Sequence, residues 1–115
     1  MNKKLNKLGQ ILTENIVCYN ELMENYREQL LPSANTLIDL LEFDEKGIAI
    51  PTTARLESIY NAQGMNDATT YVMNFIRVLA EMYTIAVSYN DAKIVEMKIG
   101  LDKLKANVNL LDEIV

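Results

Sequence analysis

The apolar residues Leu5, Leu8, Leu12, Ile16, Tyr19, Met23, Tyr26 and Leu30 follow one another in steps of three and four, and no proline interrupts them before Pro32. That spacing is the period of one face of an α-helix, so the first quarter of the chain must be read as helical. The helix is predicted over about residues 2–31, because the residue before a proline is pushed out of helical geometry. Thirty residues rise roughly 45 Å, more than the roughly 30 Å breadth of a small domain. Such a helix either bends, with Gly9 as its weak point, or overhangs and leaves its Leu and Tyr stripe for a partner to cover.

Shorter patterns come next. Ser33 is placed to cap a second helix that ends near Phe43 and buries Leu37, Ile38, Leu40 and Leu41. Asp44-Glu45-Lys46-Gly47 reads as a turn, and Ile48-Ala49-Ile50-Pro51 as an extended stub, too short for a sheet unless another chain pairs with it. Thr52 or Thr53 can cap a third helix carrying Leu56, Ile59 and Tyr60, with Gly64 as its terminator. A fourth helix, begun by Asn66 or Asp67, repeats Tyr71, Val72, Phe75, Ile76, Leu79, Met82, Tyr83 and Ala86, with Val78, Ile85 and Val87 widening the stripe. A helix apolar around so much of its circumference belongs at the centre of a fold.

Beyond it, Ile94, Met97, Leu101, Leu104, Val108, Leu111 and Val115 form a coiled-coil-like seam of about three heptads. Ser88-Tyr89-Asn90-Asp91 suits a turn between two helices, with Ser88 and Asp91 spaced as a capping box. The same frame also extends back through Asn90, Val87, Tyr83, Ala80 and Ile76 with no Gly or Pro before Gly100, so the alternative is one continuous helix over 67–115, which would span roughly 73 Å and require a dimer. The hairpin is preferred.

The chain of 115 residues is 50% apolar and 23% charged, with four Gly and two Pro, which excludes disorder and suits one domain over 1–115. Eleven basic against sixteen acidic residues leave a net charge of -5, which repels nucleic acid and anionic membrane surfaces. Lys3, Lys4 and Lys7 crowd the amino end, where a solvated helix start explains them. Lys7, Gln10, Thr13 and Glu14 interrupt any secretory core, and Val17 is too bulky to precede a lipidated Cys18. Asn74, Arg77 and Glu81 break the most apolar stretch well short of the roughly 18 residues a span needs. A cytoplasmic protein with no membrane contact is expected, and one unpaired Cys agrees with a reducing compartment. Frequent Asn, Ile, Lys and Tyr suit an AT-rich coding sequence, as in a low-GC bacterium or its phage.

The absence of His removes the commonest general base and metal ligand. Cys18 stands between Val17 and Tyr19 with no cation to lower its pKa, and reads as a small half-buried hydrophobe. Glu21, Glu24 and Glu28 flank the first stripe as a solvated edge, the 44–47 turn puts Lys46 where a calcium ligand would stand, and the glycines build no phosphate loop. No catalytic, cofactor or metal residue is assigned. Leu56 to Phe75 has a helix-turn-helix outline, or with 48–50 a ribbon-helix-helix one, but Tyr60 and Gln63 fit it poorly and Arg77 is the only cation from Asp67 to Val78.

The expectation is therefore an all-α bundle of four or five helices, with the first, fourth and fifth long and a short extended stub near 48–50. Its expected function is non-enzymatic protein binding, as a regulator, inhibitor or assembly factor of phage or mobile-element type, with self-association, dimeric by preference. Leu12, Ile16, Tyr19, Met23, Tyr26, Leu101, Leu104, Val108 and Leu111 are the expected contact residues. A small DNA-binding regulator using 48–75 is the alternative.

Overall fold

The structure is a computed structural model that describes residues 3–89, 94–96, 98 and 99. Helix α1 (Lys3–Ala34) leads into a 3-10 turn (Asn35–Leu37), an irregular stretch to Thr53, then α2 (Ala54–Gln63) and α3 (Met65–Val87). Residues 94–96, 98 and 99 are helical again. The fold is an all-α bundle. Helix α3 lies at its centre, packed on α1 along one side and on α2 along another. Ala68, Tyr71, Val72, Phe75, Ile76, Leu79, Met82, Tyr83 and Ala86 are buried, which is the face its periodicity marks.

Helix α1 bends, but not at Gly9. Tyr26 takes non-helical angles (φ -135°, ψ 31°) and splits the helix into two arms. A straight helix of 32 residues would run about 48 Å, longer than the 40 Å of the molecule's longest axis. The bend keeps Leu30 and Ala34 buried on the body instead of projecting them past it. Pro32 does not end the helix. It lies on the exposed side, as does Glu28, whose carbonyl it leaves without an amide partner, so water can serve that oxygen while Leu30 and Ala34 stay packed.

The predicted second helix is reduced to the 3-10 turn and a few further turns. Ser33 belongs to α1 and caps nothing; its carbonyl accepts from the Thr36 hydroxyl at 2.7 Å. Side chains from other elements take the carbonyls a helix would have used. The Tyr71 hydroxyl donates to Leu40 O at 2.5 Å, and the Arg55 guanidinium donates to Asp39 O. Leu37 and Leu41 reach the core, but Ile38, expected to be buried, is 56% exposed.

Residues 42–50 form a minimal hairpin around the predicted turn, with Phe43 opposite Ala49. The Ile50 N–H donates to Glu42 O at 2.8 Å and the Asp44 N–H to Ile48 O at 2.9 Å. The stub thus pairs within its own chain. Asp44 Oδ1 closes the turn by accepting from the Lys46 and Ile48 amides at 2.8 and 3.0 Å, and Gly47 supplies the positive φ of 79° that the reversal needs. From Ala49, beside Asn20, the chain runs back along α1 to Thr53. There a methyl group added at Gly9 would stand 3.1 Å from Thr53 Cγ2. The absent side chain at Gly9 admits this segment rather than bending the helix.

Thr52, not Thr53, offers its hydroxyl to the start of α2, accepting from the Ala54 N–H at 3.2 Å. Gly64 separates α2 from α3 with φ 96° and ψ -176°, a region open to glycine and closed to other residues. Because that one residue is the whole link between the two helices, α3 starts at Met65, before either predicted cap. Gly64→Ala is expected to cost about 2 kcal/mol, measured as a lower midpoint in urea denaturation with no change in the native far-ultraviolet spectrum.

Helix α3 ends at Val87, and residues 88 and 89 form a turn. The Ser88 hydroxyl bonds backwards, donating to Ile85 O at 2.6 Å. Asn90, Asp91 and the seam from Leu101 onward lie outside the described residues.

Candidate interaction surface

The expected contact residues on α1 lie in the core. Leu12, Ile16, Tyr19 and Met23 are all buried. The apolar face of α3 lies against α1, so their stripe is consumed within the monomer rather than left for a partner. Periodicity reports that a face is covered and is silent on whether the cover belongs to the same chain. Tyr26 alone of the α1 set is partly open, and its ring stacks on Tyr89 with centroids 5.6 Å apart. Tyr89 is 51% exposed. Leu101, Leu104, Val108 and Leu111 lie outside the described residues.

Burial pushes the phenol pKa values of Tyr19, Tyr71 and Tyr83 upward, in Tyr83 with added help from a hydrogen bond to Cys18. In each case the unfolded chain loses its phenolic proton first. Stability contributed by these groups is therefore complete below pH about 10 and falls as pH rises beyond it. Spectrophotometric titration at 295 nm is expected to show these three tyrosines ionising only together with loss of helix signal.

A different surface is left uncovered where the hairpin crosses α1. The Asn20 carboxamide grips the backbone of Ala49 from both sides: Asn20 Nδ2 donates to Ala49 O at 2.8 Å, and the Ala49 N–H donates to Asn20 Oδ1 at 3.0 Å. Ala49 is buried and turns its methyl inward. Alternation along extended backbone then places the flanking Ile48 and Ile50 outward, at 46% and 41% exposure. Val17, one helical turn before Asn20, is 48% exposed. The same two segments carry exposed carboxylates, Glu14 and Glu24 on α1 and Glu42, Asp44 and Glu45 on the hairpin, with Lys46 at the turn.

The sequence carried a faint sign of this site. Val17 falls off the helical stripe, so a β-branched side chain sits on the polar arc of α1. Nothing local distinguishes Asn20, because its partner lies 29 residues away.

A cleft of about 650 Å³ opens elsewhere, between the amino-terminal turns of α1 and helix α2. Leu5, Leu56 and Tyr60 supply its apolar part, and Asn6, Gln10, Glu57 and Asn61 its polar part. Cys18 is partly buried against the core. Among the described residues no group of acids and Cys is arranged to hold a metal ion, and no helix is long and apolar enough to cross a membrane. No protein-family model, curated protein or solved structure matches this chain.

Proposed function

We propose that this chain is a small acidic protein-binding module of the cytoplasm, without an enzymatic reaction of its own, acting through side chains fixed on a preformed helical body. The observation that carries the reading is that Val17, Ile48 and Ile50, three β-branched aliphatic side chains, stay exposed on the two segments that the Asn20–Ala49 clasp joins. Isolated exposed aliphatics are common on any protein, whereas a fixed group of them beside a charged border is the make-up of a contact site. Self-association is part of the proposal, through the heptad seam that begins at Ile94, which is buried, beside Val95 and Ile99, which are open. A role as regulator, inhibitor or assembly factor of a phage or mobile element suits the size and charge.

Light scattering of the purified full chain over a hundredfold concentration range, followed by affinity capture from the host with mass measurement of what is held, tests this reading. Dimers or a stoichiometric complex with another protein support it. A solitary particle of 13.1 kDa under all conditions overturns it.

The DNA-binding alternative draws on α2 and α3 packing on each other across Gly64. Against it, the exposed residues Asn66, Asp67 and Thr70 open α3, and Arg77 is the only cation between Met65 and Val87. Sequence-selective retardation of DNA in a gel at low salt would reverse the ranking.

A further inference from the structure

We propose that the surface around the Asn20–Ala49 clasp, made by Val17, Ile48 and Ile50, docks a cationic amphipathic helix of a partner protein. The proposal rests on the protein-binding reading and adds where and what the chain binds.

The surface is rigid before any partner arrives. Asn20 holds the outer edge of the strand at Ala49, the Glu42 and Asp44 backbone holds its inner edge, and Asp44 Oδ1 locks the turn. Ile48 and Ile50 therefore stand in fixed positions, and little ordering cost is left for binding. The same bonds decide the mode of docking. A visiting strand needs a free N–H and C=O on the edge it joins, and at Ala49 both are occupied by the Asn20 carboxamide. The contact must be made by side chains. A helix presenting aliphatics at i, i+3, i+4 and i+7 can lay them on Val17, Ile48 and Ile50.

Charge selects among helices. Glu14 and Glu24 are exposed on α1, three residues before Val17 and four after Asn20, and Glu42, Asp44 and Glu45 are exposed on the hairpin against the one cation Lys46, so Lys and Arg flanking the visitor's apolar face meet a net opposite charge. In a two-fold contact a second copy of this chain would bring the same carboxylates against themselves, which disfavours that arrangement. An anionic lipid surface is repelled for the same reason.

The test uses the full chain and two fluorescein-labelled helix-forming peptides with identical Leu and Ala positions, one with Lys and one with Glu at every polar position. Anisotropy is expected to show the Lys peptide binding at least about tenfold more tightly than the Glu peptide, and more weakly as salt is raised. The double variant I48S/I50S is expected to lower its affinity by about tenfold or more, with an unchanged circular dichroism spectrum because both side chains are exposed. E42K/E45K is expected to narrow the preference for Lys over Glu.

Equal binding of the two peptides, no binding of either, or full binding by I48S/I50S would overturn the proposal. A dimer in sedimentation that I48S/I50S abolishes would overturn it too, by making a second copy the occupant. If host partners or dimers are captured equally by wild type and I48S/I50S, this surface is refuted while the protein-binding reading stands.

Discussion

Ile16→Asp is expected to abolish the fold, not merely an association. Ile16 is buried at the interface of α1 with the core, so the variant would place an unpaired carboxylate among apolar side chains. Such a change costs more than about 4 kcal/mol, a large share of the 5–15 kcal/mol, roughly, that keeps a domain of this size folded. The measurement is the helix signal at 222 nm with a thermal scan. Loss of the cooperative transition matches the structure. A stable helical protein that had lost only its ability to associate would mean that Ile16 faces a partner, as its place in the sequence stripe allows.

The second large effect concerns Asn20. Truncation by Asn20→Ala removes two hydrogen bonds at once and strands the N–H and C=O of buried Ala49. At the usual cost of leaving buried polar groups unmatched, the loss is about 3 kcal/mol. Chemical denaturation gives its size, and hydrogen exchange gives its place: the Ala49 amide should lose protection well before the amides of α3. An Asn20→Ala protein as stable as wild type would show that the hairpin is held by something other than the carboxamide. Because the clasp also fixes Ile48 and Ile50, the variant is expected to weaken binding of the Lys peptide even though Asn20 itself need not touch it.

The helices were legible to different degrees, for reasons that particular residues make plain. The stripe from Tyr71 to Ala86 marks α3 and its central place, because a helix apolar over so wide an arc has no stable position except between other elements. Gly64 was legible as a break, because a positive φ selects glycine by sterics alone. Residues 35–43 misled, since Leu37, Leu40 and Leu41 have helical spacing although the Leu40 and Asp39 carbonyls are claimed by Tyr71 and Arg55. Those donors lie 31 and 16 residues further along the chain, beyond any local pattern.

The candidate site was less legible than the fold. Leu12, Ile16, Tyr19 and Met23 were expected at a contact surface and are core. Val17, Asn20, Ile48 and Ile50 make up the proposed surface instead, and what unites them is a crossing of two segments, not a periodicity.

Local chemistry along the chain thus determined that the stretches of α1, α2 and α3 are helical, that Gly64 interrupts them and how acidic the chain is, because dihedral preference, side-chain period and formal charge act over a few residues or by simple addition. Only the tertiary structure decided that α1 bends at Tyr26, that α3 rather than a second chain hides the α1 stripe, and that Ile48 and Ile50 stay outside. Those outcomes arise from a competition among distant groups for the same buried area and the same backbone hydrogen bonds, and such a competition is resolved only when the whole chain has packed.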